Sequence, residues 1–141
     1  MVKKILLVVG MSSIVLAGHG DSNDPGMKLL MKGKKVEALQ VFKNECNKDK
    51  NSWACGNAGL MLYLGMGVKK NPAEAKKYYN KGCELNDIGS CENLAEIAYK
   101  EQNMVSAKGY FKKVCGMKKF IKNKIDAKTV ANSCQKAEKI K

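Results

Sequence analysis

The chain has 141 residues, enough for one small domain, and carries 26 lysines but no arginine against 13 acidic residues, a net charge of +13. The lysines are spread along the whole chain, a pattern typical of a solvated basic surface, so we expect no nucleic-acid partner. The only histidine is His19; once the segment around it is removed, Ser-His-Asp triads, Cys-His nucleophiles and Cys/His zinc sites are excluded.

Residues 1–20 have the features of a secretory signal peptide. A basic start, MVKK, precedes the apolar stretch ILLVVGMSSIVLAG, which is short for a membrane span and lacks a stop-transfer flank. Cleavage after Ala17 and cleavage after Gly20 both fit the small residues there. We therefore expect a soluble exported protein, secreted or periplasmic. Six cysteines, all after residue 45, then predict three disulfides in an oxidising compartment.

The first helices of the mature chain are predicted by their start signals. Asp24 and Pro25 open a short helix over about residues 25–33, which we expect to pair with a helix over 35–46. The second of these helices contains the first copy of an internal repeat.

The repeat is defined by an alanine, an aromatic residue four positions later and a cysteine eight positions later. These spacings place the three side chains on one face of an α-helix. The aromatic residues recur in phase and are predicted core residues: Phe42, Tyr79 and Phe111. The copies read ALQVFKNEC at 38–46, AKKYYNKGC at 75–83 and AKGYFKKVC at 107–115.

A second repeated helix begins at the partner cysteine of the first. It reads CGNAGLMLY at 55–63 and CENLAEIAY at 91–99, and its small residues Gly59 and Ala95 suit close helix approach. After the first of these helices, Asn71 supplies a predicted N-cap.

Periods of 37 and 32 residues between copies indicate stacked helical hairpins. We therefore predict an all-α fold, an α/α solenoid of antiparallel helix hairpins with six or seven helices and no strands. The domain spans residues 21–141 and comprises about two full repeats, an N-terminal helix pair and a C-terminal capping helix from about residue 126.

The connection between repeats carries a family resemblance. Gly65, Gly67 and Val68, followed by Asn71, Ala75 and the pair Tyr78-Tyr79, resemble the Sel-1-like repeat, a relative of the tetratricopeptide repeat. With a cysteine at the end of one helix and the start of the next, the chain resembles the Helicobacter cysteine-rich protein family. That resemblance implies an exported repeat protein that binds peptides or proteins. It also brings the label of penicillin-binding protein or weak β-lactamase.

The cysteines favour structural disulfides over metal or redox chemistry. Each proposed pair joins the end of a predicted helix to the start of the next: Cys46–Cys55, Cys83–Cys91 and Cys115–Cys134. The C-x-x-C spacing of a redox pair is absent, and zinc would favour clustered cysteines with histidine support. We expect no metal site and no cofactor.

The sequence contains little of the motif pattern of a serine β-lactamase. One S-x-x-K match exists, Ser133 to Lys136, but it lies in the polar capping helix and no S-D-N or K-T-G motif accompanies it. We assign no catalytic residue. Seven serines among so many lysines produce about one such match by chance.

The expected function is an exported scaffold that binds a peptide or protein, such as a cell-envelope or host component, as a monomer. The alternative is a penicillin-binding protein or weak β-lactamase. A possible ligand groove is formed by Asn57, Asn93, Tyr63 and Tyr99. The two asparagines have a second interpretation that the sequence leaves open, which is hydrogen bonding to the protein's own helix ends.

Overall fold

The computed structural model describes residues 23–141. The predicted signal peptide and both of its possible cleavage positions lie outside the described residues. Within them the chain forms helices and no strand, which confirms the predicted all-α fold. The helices are α1 Pro25–Met31, α2 Lys35–Lys48, α3 Ser52–Leu64, α4 Pro72–Glu84, α5 Ile88–Lys100, α6 Met104–Cys115 and α7 Lys124–Lys139, with a short 3₁₀ turn at Lys118–Phe120.

The helices stack as hairpins in two layers. α1 packs on α2, α3 on α4 and α5 on α6, and each hairpin packs on the next. The α7 helix closes the stack by packing on both α5 and α6. Short connections make successive helices antiparallel, so the α2–α3, α4–α5 and α6–α7 connections lie at the same edge. This helical-repeat packing is the predicted solenoid.

One edge of the stack carries all three disulfides, and we call it the disulfide edge. The bonds are Cys46–Cys55, Cys83–Cys91 and Cys115–Cys134, the pairs expected from the helix ends, and each has a Cα–Cα separation of 4.7 Å. Every cysteine of the chain is therefore used in a covalent joint between successive helices. The first two bonds join the end of one helix to the start of the next, as predicted, whereas Cys134 lies within α7, because that helix begins ten residues earlier at Lys124.

Asparagine or aspartate side chains start six of the seven described helices. Each accepts a hydrogen bond from a backbone N–H three residues on, which satisfies a donor that the helix itself leaves unpaired. The six caps are Asp24, Asn51, Asn71, Asp87, Asn103 and Asn123. The predicted cap Asn71 also donates its amide to Glu74, a reciprocal arrangement that fixes the start of α4.

The boundaries of the end helices differ by about two residues from those predicted. The α1 helix ends at Met31 rather than near residue 33, because Gly33 adopts φ +76° and turns the chain toward α2. The α7 helix begins at Lys124 rather than near 126, because Asn123 supplies the cap.

The in-phase aromatic residues form the centre of the core. Phe42, Tyr79 and Phe111 are all fully buried. Opposite the Tyr79 ring, α3 carries Gly59, where an added Cβ would lie 2.7 Å from a ring carbon. The absence of a side chain at Gly59 therefore allows α3 and α4 to pack at the observed distance.

Two glycine-to-alanine substitutions test this packing. Gly59→Ala should lower the free energy of unfolding by about 1–3 kcal/mol, because the new methyl group overlaps a buried ring. Gly109→Ala, in the interior of α6 with nothing within 4 Å of the new Cβ, should raise it by about 0.5–1 kcal/mol through helix propensity. Urea unfolding of both variants measures the difference, and similar effects in the two would contradict the packing.

Candidate functional site

The predicted groove residues fall in different environments. Asn57 and Asn93 are buried, and the Asn57 amide donates to the Trp53 carbonyl oxygen at 3.1 Å, within its own helix. Tyr63 is half-buried against the core, whereas the Tyr99 side chain is 49% exposed. The Asn57 amide therefore has a hydrogen-bond partner within the protein. The ligand groove at the two asparagines and two tyrosines stays a prediction.

The most densely polar buried site lies between α5 and α7. Glu92 and Glu96 are one turn apart on α5, and Ser133 and Lys136 are one turn apart on α7, so the two pairs face each other. The Ser133 hydroxyl donates to Glu92 Oε2, and the Lys136 ammonium donates to Glu96 Oε1 and, at 3.4 Å, to Glu92 Oε1. We call these four residues the α5–α7 polar cluster.

Burial shapes the electrostatics of the α5–α7 polar cluster. Removal from water raises the pKa of Glu92, an effect that the Ser133 hydrogen bond and the Lys136 charge only partly offset. Burial alone would lower the pKa of Lys136, but hydrogen bonds and charges from Glu96 and Glu92 raise it above its usual value. The ammonium also lies 5.0 Å from the centre of the Phe111 ring. Lys136 is therefore held in its charged form.

This geometry assigns the S-x-x-K match a structural role. The Ser133 side chain is fully buried and donates its proton to a carboxylate rather than to the lysine. A protonated Lys136 is unable to accept that proton, so the pair lacks both an accessible nucleophile and a base. The α5–α7 polar cluster instead attaches α7 to the last repeat, where the small apolar cluster around Phe111 consists mostly of alanines.

A cavity of about 230 Å³ opens at the disulfide edge. Its walls include Trp53, Phe120 and Lys122, and its acidic groups are Asp87 and Asp126. Both carboxylates already serve as hydrogen-bond acceptors at helix starts: Asp87 binds the Ser90 backbone N–H, and Asp126 that of Lys122. Burial raises the pKa of Asp87. Both carboxylates of this cavity are therefore already used in hydrogen bonds that stabilise the fold.

A second cavity, of about 220 Å³, adjoins the α5–α7 polar cluster. Tyr99, Phe111 and Ile140 supply its apolar walls, while Lys136 and Lys139 lie at its polar side. Tyr99 is half-exposed at the opening of this second cavity. The cavity therefore has the size and the apolar walls to hold an apolar side chain.

The sequence reasoning missed Glu92 and Glu96. Their signal is a pair of glutamates four residues apart within CENLAEIA, a segment otherwise apolar enough to be buried on every side. Buried carboxylates require partners, and such a pair in a buried helix predicts a cation on the neighbouring element.

Comparison with known proteins gives two partial similarities. The chain is 38% identical over 58 residues to a protein from Drosophila melanogaster named cytochrome c oxidase assembly factor 7 homolog, covering 39% of this chain and 22% of that protein. It is 38% identical over 64 residues to cytochrome c oxidase assembly factor 7 from Xenopus tropicalis, covering 43% of this chain and 28% of that protein. The matches thus span about a quarter of the curated relatives' length. No family model and no solved structure matches.

These similarities correct the sequence-based assignment. The relatives are named as oxidase assembly factors, and no family model supports membership in the Sel-1-like, Helicobacter cysteine-rich family. The expected scaffold function of that family was therefore wrong, as was its alternative, a penicillin-binding protein or weak β-lactamase. Export of the chain stays a prediction. Both names describe those relatives as factors in the assembly of cytochrome c oxidase. None of the helices between residues 23 and 141 is long and apolar enough to cross a membrane.

The hydroxyl of the α5–α7 polar cluster can be tested by a single substitution. Ser133→Ala should lower the free energy of unfolding by about 1–3 kcal/mol, because it leaves a buried carboxylate oxygen without its donor. Ser106→Ala is the matched control, since only the backbone of that residue takes part in a helix cap; its effect should stay within about 0.5 kcal/mol. Equal effects in urea unfolding would contradict the role of Ser133.

The pH dependence of stability tests the buried charge of Glu92. The folded protein holds the Glu92 proton more tightly than the unfolded chain does, because burial raises the pKa above its usual value of 4.5. The resulting stabilisation is fully present below pH 4.5 and is lost as the pH rises through the folded pKa. The unfolding free energy of the wild type relative to Glu92→Gln should therefore increase as the pH falls from neutral toward 4.5. Urea unfolding at several pH values measures this, and a constant difference would refute it.

Proposed function

We propose that this chain is a non-catalytic assembly factor that binds protein partners and supports the assembly of a cytochrome c oxidase. The observation that carries the proposal is the 38% identity to two proteins that both bear the name of such a factor. Since the matches cover about a quarter of those proteins, the proposal concerns the helical-repeat region that this chain contains.

The chemistry of the described residues supports a binding role. All six cysteines are in disulfides, and the serine of the S-x-x-K match is buried in the α5–α7 polar cluster. The stack offers a surface of fixed shape instead, because covalent joints hold each hairpin against the next. A rigid surface binds a partner at low cost in conformational entropy, which suits a factor that holds a subunit during assembly.

The cavity beside Tyr99 is the proposed contact point for a segment of the partner protein. The exposed Tyr99 ring and the apolar floor formed by Phe111 and Ile140 offer apolar contact. The exposed Lys139 adds a positive charge beside them, whereas the charge of Lys136 is compensated by two glutamates. Tyrosine is enriched where one protein binds another, because its ring is apolar and its hydroxyl can remain hydrated.

We also propose that the folded chain works in an oxidising compartment, secreted or periplasmic. Three disulfides close loops of 8, 9 and 19 residues, and each is expected to stabilise the fold by about 2.5–3 kcal/mol. Together these contributions are comparable with the whole stability of a small domain, so a reducing compartment would remove most of it.

Gene deletion in the organism that carries this chain tests the proposed function. Loss of the gene should reduce assembled cytochrome c oxidase severalfold, measured by haem a absorbance and native gels, while succinate dehydrogenase activity stays constant. Wild type and Gly109→Ala should restore the oxidase, whereas Gly59→Ala, which disturbs the fold, should restore it poorly. Unchanged oxidase in the deletion strain would overturn the proposal.

A further inference from the structure

The positive charge is concentrated at one end of the stack. Residues 104–141, which form α6, the 3₁₀ turn and α7, contain eleven lysines and two acidic residues. Residues 23–103 contain thirteen lysines and ten acidic residues, so their charges nearly cancel. Most of the net charge of the described chain therefore lies at its C-terminal end.

One short stretch of this end combines lysines with exposed apolar side chains. Residues 118–125, KKFIKNKI, join α6 to α7, and we call them the basic segment. Ile121 is 38% exposed and Ile125 is 52% exposed. The segment's four lysines are exposed, and within residues 23–141 none of them forms an ion pair with a carboxylate: Lys118, Lys119, Lys122 and Lys124.

The acidic groups near the basic segment lie on its inner side. Asp126 is buried, where it accepts hydrogen bonds from the Lys122 backbone and the Asn123 amide. Asp87 is largely buried at the start of α5, where it caps that helix. Neither carboxylate covers the outer surface, which presents ammonium groups and isoleucine side chains.

The fold fixes the basic segment at the disulfide edge. The Cys115–Cys134 bond ties the end of α6 to α7, and Phe120 packs inward against the core. Asn123 starts α7 directly after Lys122. The segment is thus held at a fixed place, with apolar and charged groups side by side.

We propose that the basic segment binds peripherally to an anionic lipid bilayer, with its lysines at the headgroup phosphates and its isoleucines at the boundary with the acyl chains. Protein interfaces are depleted in lysine at their centres, whereas lysines beside exposed apolar residues are typical of anionic membrane surfaces. The high local charge also opposes association of this end with the same end of a second copy. This inference goes beyond the proposed function and is independent of it.

The expected contribution of the lysines follows from their charge. Each lysine near an anionic bilayer raises the partition coefficient about fivefold, and the effect weakens as salt screens the surface. Removal of two lysines should therefore lower vesicle binding about thirtyfold.

The experiment is vesicle co-sedimentation of the full oxidised chain. Vesicles of phosphatidylcholine containing phosphatidylglycerol should bind the protein at low salt and release it at high salt, and pure phosphatidylcholine should not bind it. Lys118→Gln/Lys119→Gln should reduce binding about thirtyfold. The control Lys69→Gln/Lys70→Gln removes two exposed lysines from the α3–α4 connection at the opposite edge, and should change binding less than about twofold if only local charge matters.

The contribution of the isoleucines to vesicle binding is tested by a variant and a matched control. Ile121→Ser/Ile125→Ser should weaken vesicle binding severalfold even at low salt, whereas Val105→Ser should not. Val105 is 87% exposed but lies at the other end of α6, about 15 Å along the helix axis. Circular dichroism melts of all variants establish that each remains folded.

Several outcomes would overturn the proposal. Binding to neutral vesicles as strong as to anionic ones, or equal losses in the two lysine pairs, would exclude local recognition of anionic lipid. Release by inorganic phosphate at the concentration of lipid phosphate would indicate a site for soluble anions. Stronger, Lys118- and Lys119-dependent binding to polyglutamate than to vesicles would assign the surface to an acidic protein segment instead.

Discussion

Each disulfide holds the Cα atom of a residue at the end of one helix 4.7 Å from a Cα atom of the next helix, and this short tether determines how the hairpins can stack. The cysteine lies one helical turn after the buried aromatic residue. The disulfide between the two helices therefore also fixes where along the helix axis the aromatic ring packs between them. In the second repeat that ring is Tyr79, which packs on Gly59. Its hydroxyl is buried and has no hydrogen-bond partner among the described residues, so packing of the ring outweighs the cost of that group.

The last helix is attached by different means. At this end the apolar cluster is built mainly from alanines around Phe111, which bury little surface each. The α5–α7 polar cluster supplies directional contacts in their place, and its shared lysine compensates two carboxylates that would otherwise be isolated. Such a network specifies the position of α7 more strictly than small apolar side chains can. The Cys115–Cys134 disulfide, adjacent to Ser133, ties the same helix to the end of α6.

The fold was readable from the sequence, but the α5–α7 polar cluster was not. The spacing of alanine, aromatic residue and cysteine reports a helical face directly, and Asn71 followed by Pro72 reports a helix start. By contrast, Glu92 and Ser133 are 41 positions apart, and only the packing of α7 on α5 brings them together. The family assignment failed for a related reason. Glycines in a turn, a capping asparagine and in-phase aromatics are requirements of stacked helical hairpins generally, so they indicate a fold more strongly than a lineage or a function.

The balance of charge differs between the two ends of the stack. In residues 23–103 acidic residues nearly balance lysines, and two ion pairs connect different helices: Lys43 with Glu74 and Lys76 with Glu101. Such pairs at the surface contribute little stability but keep this part of the surface near neutral. After residue 103 there are only two acidic residues, of which Asp126 is buried. Of the lysines in this part of the described chain, only Lys136 forms an ion pair. The lysines of this end repel one another, and contact with an anionic surface would lower that repulsion. The charge distribution therefore favours binding of this end to an anionic surface.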